Sequence, residues 1–189
     1  MNKSPWQSAD EVPGWMSGSE LAYLRSHARE CQTVVEIGSW KGRSTWALCE
    51  SCPGIVHAVD WWGGSNDDNI HAFDELDVGV DVHKVFLANV GHFPNLVVHK
   101  MKSEQASYEI EGTIDMVFID GDHSYESCLL DLRLWGQRTA KFLCGHDADW
   151  DGVVMALNEY APGRWKRVCD TIWEIDLQLM RVKWGRSAV

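Results

Sequence analysis

The fold of this 189-residue chain is decided by residues 34–46, VVEIGSWKGRSTW. The stretch opens with a short apolar run, as a strand buried on both faces does, and continues into a helix predicted over 44–50. Between them lie an acid, Glu36, and two glycines, Gly38 and Gly42. A strand, a tight glycine turn and a helix N-terminus form a cradle for a small molecule. Backbone N–H groups point outward there, and glycine lets a ligand approach the main chain.

The spacing of the acid and the glycines is Glu-x-Gly-x-x-x-Gly, which differs from the Gly-x-Gly-x-x-Gly of dinucleotide sites. A pyrophosphate needs hydrogen-bond donors and is repelled by a nearby carboxylate. Glu36, at the strand end, instead suits a ligand that carries an ammonium group or hydroxyls, and S-adenosylmethionine carries both. The motif therefore favours S-adenosylmethionine over a nicotinamide dinucleotide. A tight turn with a purely structural acid is the alternative, because short motifs also match by accident.

Composition and charge restrict the class of protein. The length allows one domain with a sizeable core, and 45% of the residues are hydrophobic, which is ordinary for a globular protein. No apolar run approaches the ~20 residues of a membrane span, and residues 1–10 lack the apolar core of a signal peptide, which predicts a cytoplasmic protein. The net charge of −11 disfavours nucleic acid as the main partner, because phosphate contacts supply most of that affinity. The six cysteines are scattered along the chain, which predicts free thiols. The composition does not determine the oligomeric state, so a homo-oligomer is left open.

Alternating patterns predict the order of strands and helices. Strands are predicted at 33–39, 55–60, 96–101, 114–120 and 141–145, with helices at 18–30, 44–50, 125–138 and 153–160, a short one starting at Ser103 and a mainly helical segment at 70–93. Two more strands, 164–175 and 177–184, have no helix between them, so they are predicted to form an antiparallel hairpin with Asp176 near its turn. Right-handed crossovers place the carboxyl ends of the parallel strands at one edge. The prediction is an α/β sandwich with a mostly parallel sheet.

Polar and aromatic residues follow the second and third strands at that edge. Asp60 ends the second strand, where it could accept two ribose hydroxyls or serve as a loop acid. Trp61 could stack on a base, whereas Trp62 is assigned to packing alone. Ser103 is interpreted chiefly as a helix N-cap, with contact to adenine as the alternative.

The N-terminal segment precedes these elements and ends in Trp15-Met16. These two residues are either a hydrophobic staple on the first helix or part of a lid over the pocket, and the sequence does not separate packing from binding.

A second group of residues gathers after the fourth and fifth strands. Asp120 ends the fourth strand, and His146 and Asp147 follow the fifth. Since adjacent strands lie ~4.8 Å apart, these side chains can converge on one point. Two carboxylates and an imidazole suit a divalent cation. Magnesium is the predicted ion, because an all-oxygen set favours it, and His146 as a ligand would bring manganese or iron into consideration.

His123 lies three residues after Asp120 and is the candidate general base, because a neutral imidazole beside an acceptor hydroxyl can take its proton. Each of these residues also has a structural interpretation. Asp122 could cap the following helix, His123 could be a solvated loop residue, and His146 could stand behind the ligands instead of among them.

With these residues in place, the chain resembles class I S-adenosylmethionine-dependent methyltransferases. Within them it is similar to the metal-dependent O-methyltransferase branch that includes catechol-type, macrolide-sugar and cephalosporin-cluster enzymes. Four stretches carry the resemblance: VEIGSWKGRST (35–45), HAVD (57–60), FIDGDHSYE (118–126) and GHD (145–147). Their order and spacing are specific, although no single motif is.

The resemblance implies a Rossmann-like methyltransferase sandwich with a seven-stranded sheet, its seventh strand antiparallel. It divides the chain into an N-terminal cap and helix, residues 1–30, and a single catalytic domain, residues 31–189. The implied cofactor-binding residues are Glu36, Gly38, Ser39, Trp40, Gly42, Ser44, Thr45, Asp60, Trp61, Ser103 and Asp120.

The resemblance also implies metal ligands at Asp120, His146 and Asp147, with His123 as the general base. His146 departs from the family pattern, which commonly has an acidic ligand there, and this puts the metal itself in doubt. The implied activity is O-methylation of a small molecule such as a sugar, a polyketide or a phenol. A metal-independent N- or O-methyltransferase and a non-catalytic S-adenosylmethionine-binding subunit are the alternatives.

Overall fold

A computed structural model describes residues 4–64 and 79–178. Its strands are β1 (Thr33–Ile37), β2 (Ile55–Asp60), β3 (Leu96–Lys100), β4 (Ile114–Ile119), β5 (Thr139–Gly145), β6 (Trp165–Cys169) and β7 (Ile172–Ile175). The helices are α1 (Gly18–Ala28), α2 (Arg43–Ser51), α3 (Val82–Val90), α4 (Ser103–Glu109), α5 (Tyr125–Trp135) and α6 (Asp151–Tyr160), with short 3₁₀ turns at Ala9–Glu11 and Gly136–Arg138.

The strands form one sheet in the order β3-β2-β1-β4-β5-β7-β6. The first five strands in that order pair in parallel, and β7 pairs antiparallel with both β5 and β6. The predicted seven-stranded, mostly parallel sheet with a C-terminal antiparallel hairpin is confirmed. The chain reverses direction across the sheet at β1, which lies between β2 and β4, and such a switch point leaves a crevice at the carboxyl ends of the strands.

Two hydrophobic cores cover the two faces of the sheet. One face packs against α1, α2 and α3, and the other against α4, α5 and α6. Alternate residues of β1 separate between the faces, with Val34 in the first core and Val35 in the second. Among the described residues, no helix is both long and apolar enough to cross a membrane. The six cysteines are free thiols, as predicted, and burial raises the pKa of Cys49.

The C-terminal hairpin turns earlier than the sequence predicts. Its turn lies at Asp170 and Thr171, inside the stretch 164–175 that was predicted to be one strand, and Asp176 follows β7. Asp170 has a φ of 43°, a left-handed conformation that aspartate tolerates better than most residues. The β-branched and aromatic residues on both sides concealed this turn, because they favour strand throughout.

Three smaller differences concern helix ends. Ser103 is the first residue of α4 and Lys102 occupies the N-cap position, so the N-cap interpretation of Ser103 was wrong. The helix predicted at 125–138 ends at Trp135 and continues as a 3₁₀ turn. The predicted helical segment 70–93 is described only from residue 79, where α3 forms, and its earlier part lies outside the described residues.

A pair of histidines on neighbouring strands makes the stability of the fold depend on pH. Nδ1 of His57 on β2 lies 2.9 Å from Nε2 of His99 on β3, and both rings are half-buried. Burial lowers the pKa of both rings, and the charge of His99 when protonated lowers the pKa of His57 further. The folded state therefore binds fewer protons than the unfolded chain below pH ~6.5, the ordinary histidine value.

We expect the free energy of unfolding to be fully retained above that pH and to fall as the pH drops below it. Urea denaturation of the wild-type protein and a His99→Gln variant at pH 7.5, 6.5 and 5.5 measures this effect. The variant should lose less stability than the wild type over this range, and equal losses in the two proteins would contradict the assignment.

Candidate functional site

A cavity of about 870 Å³ opens at the carboxyl edge of the parallel strands. Each of the five strands places a residue at its wall: Gly38 after β1, Asp60 at the end of β2, Met101 after β3, Asp120 after β4 and His146 after β5. The structure thus brings the predicted cofactor loop and the predicted metal ligands to one shared cavity.

The glycine loop is built on a buried acid. Glu36 is fully buried under the loop, where Oε2 accepts hydrogen bonds from the hydroxyls of Ser39, at 2.7 Å, and Thr45. Burial raises the pKa of Glu36 to about 7, although these hydroxyls oppose the shift. Its Oε1 has no hydrogen-bond partner among the described residues. Glu36 therefore fixes the loop from beneath and does not line the cavity.

The other predicted cofactor residues either support the glycine loop from behind or face the cavity. Gly42 and Thr45 lie behind the loop, where Gly42 packs on the side chains of Phe86 and Val90. The remaining ones face the cavity: Gly38, Ser39, Trp40, Ser44, Asp60, Trp61, Ser103 and Asp120.

Asp60 organises the loop through backbone amides. Its Oδ2 accepts hydrogen bonds from the amides of Ser39, at 3.0 Å, and Trp40, at 2.9 Å, and Oδ1 accepts one from the amide of Trp62 at 2.7 Å. A carboxylate has about four lone-pair positions, so one is left to face a ligand hydroxyl. Asp60 joins the loops after β1 and β2, in addition to the ribose contact predicted for it.

Trp61 and Trp62 both line the cavity but have different surroundings. Trp61 is 44% exposed at the cavity, and the ammonium of Lys102 lies 5.2 Å from its ring centroid. Trp62 packs against Phe86 on α3, and its indole N–H donates to the carbonyl of Trp40. One tryptophan is therefore available to a flat ligand, while the other supports the loop.

Ser103 bonds to an acid on α5 that the sequence analysis missed. Its hydroxyl donates to Oδ1 of Asp131 and accepts from the indole N–H of Trp135 at 2.8 Å. Asp131 is buried at the cavity wall, and burial raises its pKa to about 7. An acid at an apolar helix position beside Leu132 was the available signal.

The predicted metal ligands lie close together. Asp120, His146 and Asp147 each offer one ligand atom within 4.8 Å of the others. Nδ1 of His146 is 3.2 Å from Oδ2 of Asp147 and 3.6 Å from Oδ1 of Asp120. Two carboxylates and one imidazole nitrogen at such separations fit a divalent cation with open coordination positions.

A third acid, Glu20 on α1, completes the cluster from the other side of the ring. Its Oε1 lies 3.1 Å from Nε2 of His146. Burial alone would lower the pKa of His146, but the charge of Asp120 and the contacts with Asp147 and Glu20 raise it to about 11. Burial raises the pKa of Asp120 to about 6, whereas hydrogen bonds from His123 and His146 hold the pKa of Asp147 far below its usual value. The cluster is rich in negative charge, because three carboxylates surround one imidazole ring.

His123 approaches the cluster from the loop after β4. Its Nε2 lies 2.8 Å from Oδ2 of Asp147, and its ring packs on Trp150 with centroids 4.6 Å apart. Asp122 does not cap α5 directly. Ser124 is the N-cap, and Asp122 accepts a hydrogen bond from the amide of Ser124. The predicted base is thus oriented by an acid and a tryptophan at the cavity wall.

The N-terminal segment closes one side of the cavity. Met16 is buried as a hydrophobic staple would be, while Trp15 is 55% exposed and stacks on Trp40 with centroids 4.3 Å apart. Arg43 on α2 holds this segment by donating to the carbonyls of Met16, Val12 and Asp10. Both residues line the cavity, and the interpretation of this segment as a lid stays a prediction.

Backbone strain concentrates around the cavity. Four described non-glycine residues have positive φ, and three of them line the cavity: Trp40 at 41°, Trp62 at 51° and Asp147 at 60°. Left-handed backbone in residues other than glycine costs free energy and is typical of functional sites.

The comparison with family models agrees with this arrangement. A model described as a methyltransferase domain matches residues 35–147, which is more than half of the chain. The match begins within β1 and ends at Asp147. It therefore contains the glycine loop and the acid–histidine cluster, by which we mean Asp120, His146 and Asp147. A sequence search among curated proteins returned no match.

Solved structures with the same fold include three whose descriptions are informative. Cofactor-bound Rv0187 from MTB has a TM-score of 0.62 and 18% identity, over 88% of this chain and 85% of that one. The O-methyltransferase TomG from Streptomyces achromogenes, in complex with SAM, has a TM-score of 0.59 and 15% identity, over 85% and 81%. An O-methyltransferase from Bacillus cereus in complex with SAH has a TM-score of 0.55 and 14% identity, over 89% and 86%. At these identities the likeness shows the fold.

Proposed function

Since the chain belongs to the methyltransferase domain family, we propose that it transfers a methyl group from S-adenosylmethionine to a hydroxyl of a small molecule, with a divalent cation at the acid–histidine cluster. One observation carries the proposal. The cavity that contains the glycine loop and Asp60 also contains His123 and the cluster of Asp120, His146 and Asp147. Two similar structures described as O-methyltransferases, one with SAM and one with SAH, support the cofactor and oxygen as the acceptor atom.

The glycine loop and Asp60 are the proposed holders of the cofactor. The remaining acceptor position of Asp60 suits a ribose hydroxyl, and the exposed face of Trp61 suits a purine ring. Gly38 lets the methionine part approach the main chain.

His123 is the proposed general base. Nε2 of the ring lies 2.8 Å from Oδ2 of Asp147, so we assign the hydrogen of the neutral ring to Nε2 and the lone pair to Nδ1. The acceptor hydroxyl gives its proton to Nδ1, its oxygen forms a bond to the methyl carbon, and the electron pair of the broken sulfur–carbon bond stays on sulfur. Asp147 stabilises the imidazolium that results.

The cation would be held by a carboxylate oxygen of Asp120, Nδ1 of His146 and a carboxylate oxygen of Asp147. A divalent cation there would lower the pKa of the acceptor hydroxyl. The imidazole nitrogen makes manganese or iron a better match than magnesium, whose preferred ligands are oxygens.

One observation favours a metal-independent route as the second candidate. Three carboxylates lie within 4 Å of the His146 ring and raise its pKa to about 11, so without a metal ion the ring itself would supply the positive charge among them. In that case His123 would act alone on a nitrogen or oxygen acceptor.

Chelation separates the two candidates. Methyl transfer from labelled S-adenosylmethionine to a panel of phenols and sugars should fall at least ~100-fold in EDTA and recover with Mn²⁺. Activity that is untouched by full metal removal would eliminate the cation and leave the metal-independent methyltransferase. Calorimetry with S-adenosylhomocysteine, and with NAD as the control ligand, tests the cofactor itself. If S-adenosylhomocysteine fails to bind, the proposed function is wrong.

A further inference from the structure

We propose that Glu20, on the first helix, is a positioning residue that holds the His146 ring with Nδ1 directed at the cation position. This inference rests on the proposed function, because it concerns the same cluster. Glu20 lies outside residues 35–147, which the family model matches. The helix that carries it belongs to residues 1–30, which the sequence predicts to be a cap.

The carboxylate of Glu20 is itself firmly held. The residue is 2% exposed. Oε2 accepts from the amide of Ser17 at 2.8 Å, and Oε1 accepts from the amide and the hydroxyl of Thr171 at 2.9 and 2.8 Å. These hydrogen bonds and the nearby His146 lower the pKa of Glu20 to about 2, although burial opposes the shift. A buried carboxylate with donors on both oxygens cannot rotate away from its position.

The two nitrogens of the His146 ring face different acids. Nε2 lies 3.1 Å from Oε1 of Glu20, while Nδ1 faces Asp147 and Asp120 at 3.2 and 3.6 Å. The backbone is fixed as well, since the carbonyl of His146 accepts from the indole of Trp173. The remaining freedom is rotation of the ring, and the close contact of Nε2 with the fixed carboxylate of Glu20 restrains it.

That geometry determines which nitrogen can serve as a ligand. A histidine that donates one N–H to a carboxylate presents the lone pair of its other nitrogen to a metal, and loss of such a carboxylate typically weakens metal binding by about 10- to 100-fold. Without Glu20 the ring could turn, and the hydrogen could move to Nδ1.

The test compares Mn²⁺ affinity in the wild-type protein and three variants. Glu20→Gln keeps the side-chain length but removes the negative charge that faces Nε2, which weakens the preference for a hydrogen on that nitrogen of His146. Ser17→Ala is the matched control, because it removes the helix-capping hydroxyl and leaves the contact between Glu20 and His146. Thr171→Val removes only the hydroxyl that holds Oε1. Each protein is titrated with Mn²⁺ alone and with S-adenosylhomocysteine alone by calorimetry, and its Tm is recorded.

We expect Glu20→Gln to bind Mn²⁺ about 10- to 100-fold more weakly and S-adenosylhomocysteine as the wild type does. Ser17→Ala should lower the Tm and keep wild-type Mn²⁺ affinity, and Thr171→Val should weaken Mn²⁺ binding by a smaller factor. Wild-type Mn²⁺ affinity in Glu20→Gln would overturn the inference while the proposed function stands. If Glu20→Gln does not fold, unchanged affinity in Thr171→Val overturns it. A wild-type protein that binds S-adenosylhomocysteine but no Mn²⁺ overturns both this inference and the cation, and leaves methyl transfer in place.

Discussion

Replacing His123 with alanine is expected to lower the rate of methyl transfer by about 10²- to 10⁴-fold and to leave the affinity for S-adenosylhomocysteine unchanged. This loss of rate is the one expected when a general base is removed. His123 lines the cavity, and its Nε2 lies 2.8 Å from Oδ2 of Asp147, which orients the ring. His123 lies outside the glycine loop and the Asp60 contacts, so cofactor binding should not depend on it. Turnover on the acceptor panel and calorimetry with S-adenosylhomocysteine provide the two measurements.

A paired substitution shows whether Asp147 belongs to the same machinery. Asp147→Asn keeps the shape of the side chain and removes the charge that faces His123 and His146. Its turnover should fall while its cofactor affinity is retained. Asp149→Asn is the matched control, since Asp149 is an exposed acid two residues away that does not line the cavity. Wild-type turnover in both His123→Ala and Asp147→Asn would show that the catalytic assignment is wrong.

A single methyl group at Gly38 should unfold the protein or come close to it. Gly38 has a φ of 85°, and a Cβ there would lie 2.0 Å from the backbone oxygen of Asp120. The neighbouring strand end cannot move aside, because Asp120 is bonded through its amide to Ile37 of β1. We expect Gly38→Ala to lose more than about 3 kcal/mol of the free energy of unfolding, beyond the usual range for one substitution.

Gly112→Ala separates the two causes of that loss. Gly112 has nearly the same φ, 84°, but a Cβ there would meet nothing within 4 Å. It should lose only the about 1–2 kcal/mol that left-handed backbone costs an ordinary residue. Urea denaturation followed by tryptophan fluorescence measures both variants. Equal losses would mean that backbone conformation alone, rather than close approach of the two strand ends, requires glycine at position 38.

The sequence was sufficient to predict the sheet and one edge of the site, for a physical reason. Buried parallel strands are continuous apolar runs, so the acids that end them, Asp60 and Asp120, mark the carboxyl edge without ambiguity. The crossover rule then brings those ends together. Predictions that rest on local patterns of this kind agree with the structure to within one or two residues at most strand ends.

What the sequence could not predict depends on contacts between distant parts of the chain. Glu20 stands in a Ser-x-x-Glu pattern that reads as an ordinary capping box, and the capping box is indeed formed. Its second set of contacts is with Thr171 and His146, more than a hundred residues away. The hairpin turn was misplaced for a related reason, since the carboxylate of Asp170 accepts from the hydroxyls of Ser17 and Ser19. No local pattern records such partners.

The left-handed backbone at Trp40, Trp62 and Asp147 has a consequence for evolution in the laboratory. Each such residue costs about 1–3 kcal/mol, and the rest of the molecule must compensate for it. A selection for heat resistance alone should therefore enrich glycine or asparagine at Asp147, because the two tryptophans make stacking and hydrogen-bond contacts that a smaller residue would lose. Variants obtained in this way should have a higher Tm and a lower rate of methyl transfer. Stability and turnover would therefore have to be selected together.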